Sequence, residues 1–239
     1  MDNQEKRTPK ICVVSDVHGR DFYKSILKNT TDKIIFLGDY EDPYPHEGFT
    51  LDNVKSAMMD IFSFAQDNPD RVILLLGNHS LPYYWNNRGY ARWDWAHADE
   101  LHQIYEEFKG LFKIAYWDED TQTLFTHAGV TFDWWNDLEL PIDASGKDIA
   151  DTLNAMLETD PESLEMIGRS RGGYSRHGSC VWAHVTEHDS EDQMPFKQVF
   201  GHSQLQTTGN FIHQDNWWMC DSRCIFKYDG ENLEKYLEV

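Results

Sequence analysis

The sequence predicts an α/β protein whose first half forms a parallel sheet and whose second half is richer in strands. Three early segments share one pattern, a charged residue followed by a continuous apolar run that ends in polar residues. They are KICVVSD at 10–16, KIIFLGD at 33–39 and RVILLLGNH at 71–79. Continuous apolar runs are typical of strands covered on both faces, and helices are expected between them. This βαβαβ order predicts right-handed crossovers and parallel strands.

Two stretches have apolar residues at helical spacing. The first follows Thr50, a suitable N-cap, and the second is followed by Gly110 as a stop. Their apolar positions are Leu51, Val54, Met58, Ile61, Phe62 and Ala65, then Leu101, Ile104, Tyr105 and Phe108. With helices as crossovers, the polar residues that end the three strands should meet at one edge of the sheet. Ligands of such sheets bind outside the carboxyl ends of the strands.

The second half contains four segments with strand character. They are TLFTHAGV at 123–130, FKQVFGHS at 196–203, GNFIHQD at 209–215 and CIFKYDGENLEKYLEV at 224–239. In the last of these, Asp229 and Gly230 predict a hairpin turn. A further helix is predicted after Ser145, with Asp148 as its capping partner and with apolar positions Ile149, Leu153, Met156 and Leu157. No repeat or flexible linker interrupts the chain, so we expect one domain over 1–239.

Composition excludes several classes of protein. The hydrophobic fraction of 40% and the aromatic fraction of 14% are too high for a disordered chain. With 41 acidic and 21 basic residues, the formal charge of −20 should repel a nucleic acid backbone. There is no signal peptide and no run of about 20 apolar residues, so a soluble cytoplasmic protein without a membrane partner is expected.

Four cysteines are too few and too scattered for a secreted disulfide framework. We expect reduced thiols, with Cys12 inside a core strand. Cys220 and Cys224 could also form half of a metal site, but no second pair with suitable spacing accompanies them.

Polar residues that end five apolar runs form the candidate site. Alone, each histidine among them would be interpreted as an ordinary loop or core residue, and each aspartate as a turn residue. Together, carboxylate, imidazole and amide groups are ligands for Mn²⁺, Fe or Zn²⁺, and a shared carboxylate can bridge two ions. The residues are Asp16, His18, Asp39, Asn78, His79, His127 and His202.

Five short blocks carry a resemblance to a known family. In order, they are SDVHG at 15–19, GDYED at 38–42, GNH at 77–79, THAG at 126–129 and FGHS at 200–203. Together they resemble the calcineurin-like metallophosphoesterases, particularly the phosphoprotein-phosphatase branch and its dinucleoside-tetraphosphatase relatives. The resemblance runs from Asp16 to about Asp221. It implies a four-layer α/β/β/α sandwich of two mixed sheets.

The resemblance also implies a centre of two divalent metal ions. Mn²⁺ is the expected metal, with Fe and Zn²⁺ as alternatives. A hydroxide between the ions would attack phosphorus in line, and the ions would attract phosphate despite the acidic surface. Metal 1 would be held by Asp16, His18 and Asp39, and metal 2 by Asp39 as the bridge together with Asn78, His127 and His202.

By the same resemblance, His79 would be the general acid that protonates the leaving oxygen. Asp42 occupies the position of the carboxylate that orients this histidine in the phosphatase branch. Its alternative is an ordinary acidic turn residue before Pro43. An imidazole suits proton donation because its ordinary pKa of about 6.5 is raised by a carboxylate partner.

Three positions depart from the family pattern. Pro43 stands where the phosphatase branch has a phosphate-gripping arginine, and Ser80 stands where it has a glutamate. Gln204 replaces a histidine that the broader family often uses for metal 1. Absence of that histidine fits the phosphatase branch, whereas absence of the arginine weakens the protein-phosphatase interpretation.

Other arginines are therefore candidates for binding the phosphate. Arg88 and Arg92 lie in a cap-like insertion at about 81–97, and Arg169 and Arg171 lie in a second one at about 161–180. Arginine forks match phosphate oxygens, and the neighbouring Trp and Tyr rings could stack on a base or an aryl group. Alternatively, the aromatic residues pack a cap and the arginines pair with surface acids.

The function predicted from these features is hydrolysis of a phosphomonoester or a phosphoanhydride. The substrate could be a phosphorylated small molecule, a nucleotide or a phosphoprotein. The alternatives within the same chemistry are a Ser/Thr-type protein phosphatase and a dinucleoside-tetraphosphate hydrolase. An alternative of another class is a catalytically silent scaffold of the same fold, which would normally lack ligands or the acid.

Overall fold

The computed structural model describes residues 11–29 and 31–236, so the predicted leading Lys10 and the last three residues lie outside the described part. A mixed sheet of six strands forms one half of the molecule. Its strands are β1 (Ile11–Val14), β2 (Lys33–Phe36), β3 (Val72–Leu75), β4 (Phe112–Lys113), β10 (Ile225–Tyr228) and β11 (Leu233–Lys235).

The predicted parallel arrangement is confirmed in this sheet. The order is β11-β10-β1-β2-β3-β4, and β1 to β4 run parallel to one another. β10 pairs with β1 in the antiparallel direction and forms a hairpin with β11. The hairpin predicted at Asp229 and Gly230 is also confirmed, with Gly230 at a φ of 98° in the turn.

A second mixed sheet contains most of the remaining strands. Its order is β5-β6-β7-β9-β8, with β6, β7 and β9 parallel at its centre and antiparallel pairs at both edges. The strands are β5 (Ala115–Asp118), β6 (Thr123–Thr126), β7 (Lys197–Phe200), β8 (Ile212–Gln214) and β9 (Trp217–Met219). The prediction of a β-rich second half is thereby confirmed.

The predicted helices form, with their predicted caps. Thr50 Oγ1 accepts a hydrogen bond from the Asn53 backbone at 3.4 Å, and Ser145 Oγ accepts one from the Asp148 backbone at 3.2 Å. The helix predicted to stop at Gly110 ends at Glu107, because the chain tightens into a 3₁₀ turn over Lys109–Leu111. The helices are α1 (Leu51–Asp67), α2 (Ser80–Trp85), α3 (Ala98–Glu107), α4 (Phe132–Asp137), α5 (Gly146–Thr159) and α6 (Pro161–Leu164).

Side chains alternate between the two faces of each strand, and this alternation builds two cores and a four-layer fold. In β1, Ile11 and Val13 pack between the two sheets, whereas Cys12 and Val14 pack towards the helices. α1 packs against β3 of the first sheet, and α5 packs against β5 and β6 of the second. Helices therefore cover the outer faces of both sheets, which is the predicted sandwich.

All four cysteines are buried and free, and Cys12 lies in a core strand as predicted. Within the described residues, Cys220 and Cys224 belong to no cluster with metal-binding geometry. None of the helices in this part of the chain has the length and apolar character that crossing a bilayer requires.

Candidate metal centre

The predicted ligands follow the carboxyl ends of strands in both sheets. Asp16 lies two residues beyond β1, Asp39 three beyond β2 and Asn78 three beyond β3. In the second sheet, His127 directly follows β6 and His202 lies two residues beyond β7. Since these strands are parallel within each sheet and the sheets pack face to face, all of these side chains reach one common edge.

The backbone at this edge is strained at several non-glycine residues. His18, Asp39 and His202 have φ angles of 47°, 53° and 67°, and Asp42 has a φ angle of 55°. The left-handed region is unfavourable for residues that carry a Cβ, and such strain concentrates at functional sites. The surrounding sheets hold these residues in conformations that aim their side chains at one another.

Two glycines allow the chains to approach closely there. A Cβ on Gly77 would lie 2.1 Å from Asp39 Oδ1 and 2.7 Å from the His127 ring. A Cβ on Gly201 would lie 2.0 Å from Ser15 Oγ and 2.7 Å from Asp16 Oδ1. Any larger residue at either position would displace a candidate ligand.

The structure brings all six predicted ligands together. Ligand atoms of Asp16, Asp39, His127 and His202 lie within 4.8 Å of one another. Nε2 of His18 lies 3.9 Å from a carboxylate oxygen of Asp16 and 3.9 Å from one of Asp39. The sixth side chain, Asn78, places Oδ1 3.0 Å from Nε2 of His127.

The chemistry of these groups fits a cation. Nδ1 of His127 donates a hydrogen bond to the Leu37 carbonyl at 2.9 Å, which leaves a lone pair on Nε2. That lone pair faces Asn78 Oδ1 at 3.0 Å and Asp39 Oδ2 at 3.4 Å. His18 repeats the arrangement, since its Nδ1 donates to the Glu41 carbonyl at 2.5 Å while Nε2 faces carboxylates. Converging acceptors repel one another unless a positive ion lies among them.

Electrostatics favour the ligand forms of these residues. Burial holds the pKa of His18 and of His202 well below the ordinary value, so both imidazoles stay neutral. Burial opposes the charge of Asp39, but interactions with the His127 and His79 rings and with the His79 backbone N–H, which donates to Oδ1 at 2.9 Å, outweigh it and lower the pKa of this carboxyl. Neutral imidazole and ionised carboxylate are the forms that bind metals.

His79 lies at the same edge of the sheets, and a hydrogen bond holds one of its ring nitrogens. Its Nδ1 is 2.7 Å from Asp42 Oδ2, and the Tyr83 hydroxyl donates to Asp42 Oδ1 at 2.5 Å. Burial lowers the pKa of His79, but the charges of Asp39 and Asp42 outweigh burial and raise it. The other nitrogen, Nε2, accepts a hydrogen bond from Arg92 Nη2 at 2.9 Å, which requires the neutral ring. Protonation of Nε2 and this contact therefore exclude each other.

Two of the four candidate arginines lie at the cavity. Arg92 and Arg171 line a space of about 120 Å³ that Asp16, His18 and Asp39 also line. The Arg92 guanidinium lies 3.8 Å from the Tyr44 ring centroid, and Arg171 donates to Ser203 Oγ at 2.7 Å. One nitrogen of each is buried without a hydrogen-bond partner among the described residues. Arg88 and Arg169 are exposed and do not line this cavity.

Sequence reasoning did not select three of the larger residues that line the cavity. Tyr44, Trp182 and Asp221 form part of its wall. Asp221 had a usable signal, because it follows the apolar run WWMC at 217–220 as Asp39 follows its own run. Burial and the charge of Asp16 raise the pKa of Asp221 well above the ordinary value. Tyr44 and Trp182 have no comparable pattern, since their role depends on loop folding.

The chain is similar to known proteins in its family pattern and in its fold. A family model described as calcineurin-like phosphoesterase matches residues 9–219. No curated protein matches the chain significantly.

Two solved structures share the fold. A cold-active protein-tyrosine phosphatase of a psychrophilic Shewanella species has a TM-score of 0.58 and 16% identity, with 97% of this chain and 81% of that chain covered. A protein serine/threonine phosphatase from Saccharomyces cerevisiae, similar to human phosphatase PP5, has a TM-score of 0.59 and 14% identity. That match covers 99% of this chain and 82% of the other. At such low identities, the likeness shows the fold alone.

Proposed function

Because this chain belongs to the calcineurin-like phosphoesterase family and is therefore a metal-dependent phosphoesterase, we propose that it hydrolyses a phosphomonoester or a phosphoanhydride at a binuclear centre. Asp16, His18 and Asp39 would hold the first ion. The second would be held by Asp39 as a bridge and by Asn78, His127 and His202. The observation that carries the proposal is the convergence of carboxylate, amide and imidazole acceptors on one point.

In catalysis, the protein's side chains would bind the metal ions, orient the phosphate and protonate the leaving oxygen. When bound, two divalent cations would lower the pKa of a water molecule towards 7 and neutralise charge on the phosphate. Mn²⁺ is the proposed metal. The same mixed set of oxygen and imidazole ligands also accepts Fe or Zn²⁺, so the availability of each metal decides among them.

His79 is proposed as the general acid. Asp42 holds Nδ1 at 2.7 Å, so the proton for the leaving oxygen would sit on Nε2, the nitrogen that contacts Arg92 of the cavity lining. Asp42 would also stabilise the imidazolium, because its carboxylate is almost fully buried beside the ring.

Arg92 and Arg171 are proposed to bind the phosphate oxygens. They come from the two cap-like insertions and line the same cavity as the ligands. Each has a buried guanidinium nitrogen that needs an acceptor, and a phosphate oxygen would supply it. The exposed Arg88 and Arg169 could contact only a substrate that extends beyond this cavity.

The space around the phosphate site supports one class of substrate. A second cavity of about 230 Å³ shares Arg92 and is lined by Phe49, Trp93 and Trp95. This room supports a substrate with an aromatic or apolar group beside its phosphate. The Shewanella and yeast neighbours are named for protein phosphatase activities, so phosphopeptides are included with nucleotides and small phosphomonoesters among the proposed substrates.

An aryl phosphate assay with added Mn²⁺ tests the function directly. We expect hydrolysis by the full chain and a loss of about 10²–10⁴-fold in His79→Ala, the usual contribution of a general acid. Metal analysis of both proteins should give two ions per chain. A chain that binds metal but never turns over any phosphopeptide, dinucleoside polyphosphate or phosphomonoester would instead be a silent scaffold.

The last two features of the chain are its domain organisation and its location in the cell. We propose a single catalytic domain over 1–239, with the segments 81–97 and 161–180 as walls of the site. Four free cysteines suit a reducing compartment, so we propose the cytoplasm as its location.

A further inference from the structure

Asp221 presents a buried carboxylate to the cavity without a partner. It lies two residues beyond β9 and is only 2% exposed. Its side chain lines the same cavity as Asp16 and His18. Among the described residues, neither of its oxygens has a hydrogen-bond donor or an ion-pair partner, and Oδ1 is fully enclosed. An ionised carboxylate in this condition is strongly unfavourable unless a cation compensates it.

The nearby arginines do not supply that cation by contact. Arg20 is within range of the charge of Asp221, but its guanidinium is bound by Glu47 at 2.8 and 2.9 Å and by the Asp16 carbonyl at 3.1 Å. Arg223 also acts on Asp221 only at a distance. Arg171 is also within range of this charge without contacting the carboxylate, and Asp16 adds a repulsive negative charge.

Charge balance points in the same direction. The six proposed ligands include two carboxylates, whereas two divalent cations carry four positive charges. Asp42 does not offset this excess of positive charge, since its carboxylate is paired with His79. Gln204 is exposed and neutral, so the loop after β7 adds no further anion. Asp221 is the remaining unpaired carboxylate among the described residues that line the cavity.

We propose that the carboxylate of Asp221 is a seventh side-chain partner of the metal centre, placed to strengthen binding of the cation held by Asp16 and His18. It acts on that cation directly or through a coordinated water molecule, and it makes affinity higher without taking part in proton transfer. The inference rests on the proposed function, because it presupposes that the centre binds metal.

The test compares Asp221→Asn with the unaltered full chain, first freed of metal by a chelator and then titrated with Mn²⁺. Without metal, the variant should have the higher melting temperature, because its neutral amide never carries the charge that burial and Asp16 make unfavourable at Asp221. With Mn²⁺, the order should reverse, since the variant gains less stabilisation from the ion. Calorimetric titration should show Mn²⁺ affinity at one of the two sites reduced by about 10- to 100-fold, as for other partners of metal ligands.

Asp143→Asn is the matched control, because Asp143 is exposed and is not part of the cavity lining. It should change neither the melting temperatures nor the Mn²⁺ affinity. Asp221→Ser provides a second variant if the amide disturbs folding, with the same expected loss of affinity.

Three outcomes would overturn the inference or its premise. Unchanged Mn²⁺ affinity in the Asp221 variants overturns the inference and leaves the proposed function intact. A metal-free Asp221→Asn protein that is less stable than the unaltered chain, with an equal response to Mn²⁺, would show that Asp221 serves Arg20 and Arg223 instead. Absence of Mn²⁺ binding by the unaltered chain would overturn the proposed function itself.

Discussion

Nη2 of Arg92 lies 2.9 Å from Nε2 of His79, the ring nitrogen that is not held by Asp42. A guanidinium can only donate, so His79 must accept here and cannot carry a proton on Nε2. The acid form of His79 therefore requires Arg92 to leave. A phosphate oxygen offers Arg92 a charged acceptor in exchange for the neutral imidazole, and charge-assisted hydrogen bonds are the stronger ones. Substrate binding would thus release the acid.

Replacement of Arg92 should weaken substrate binding. Arg92→Met removes the guanidinium, which lies over the Tyr44 ring, and keeps an unbranched apolar side chain. Since hydrogen bonds to charged groups contribute about 1.5–3 kcal/mol, KM for an aryl phosphate should rise about 10- to 150-fold. Steady-state kinetics at saturating Mn²⁺ measure this.

The control is Arg176→Met, since Arg176 is exposed and outside the cavity lining. Its KM should equal that of the unaltered chain. An unchanged KM in Arg92→Met would remove Arg92 from the phosphate site and leave Arg171 as the remaining candidate.

Asp42→Asn should slow turnover without emptying the metal site. The amide keeps the shape of the side chain but loses the charge that supports the His79 imidazolium at 2.7 Å. We expect kcat to fall at least about tenfold, but by less than the about 10²–10⁴-fold that complete loss of a general acid costs. Metal content, measured by elemental analysis, should remain that of the unaltered chain. Loss of bound metal in this variant would refute the assigned role.

Much of the fold could be predicted because local patterns agreed with the final packing. The strands before Asp16, Asp39 and Asn78 are continuously apolar apart from Lys33 at the start of β2, a pattern typical of strands buried on both faces. Thr50 and Ser145 cap their helices through neighbours three residues away, so the signal is complete within a few residues. Short-range chemistry of this kind is visible in sequence.

The substrate side of the site was less predictable for a physical reason. Arg88 and Arg92 lie in the same segment and have similar neighbours in the sequence, yet only Arg92 lines the cavity. The difference depends on the turns of that segment, including the φ of 67° at Arg92, and no local pattern encodes such a conformation. Asp221 was missed for a different reason, since a single acid after an apolar run is usually a turn residue.

Stability should fall in mild acid because of His188. This ring is buried, donates from Nε2 to the Ala128 carbonyl at 3.0 Å and stacks on Phe200. Burial lowers the pKa of His188 to about 4, whereas the unfolded chain keeps the ordinary value near 6.5. Between these values the unfolded state binds the extra proton, so the free energy of unfolding decreases as pH falls. The contribution of His188 should be about 2 kcal/mol between pH 6.5 and 4.5.

Urea unfolding of the metal-free protein at those two pH values measures the effect. His188→Gln keeps a donor for the Ala128 carbonyl but does not titrate, so its stability should change less over this range. His213→Gln is the control, because His213 is exposed on β8. Equal pH dependence in the unaltered chain and in His188→Gln would contradict the assignment.

Gly77→Ala should abolish metal binding through steric displacement alone. The new methyl group would lie 2.1 Å from Asp39 Oδ1 and 2.7 Å from the His127 ring, both well inside van der Waals contact. Asp39 is the proposed bridge, so its displacement affects both ions, and we expect loss of bound Mn²⁺ and of phosphatase activity. Gly110→Ala is the matched control, because a Cβ there meets nothing within 4 Å. Calorimetric Mn²⁺ titration of the two variants decides the question. If Gly77→Ala folds and binds two ions as tightly as Gly110→Ala, then Asp39 and His127 do not hold the metal.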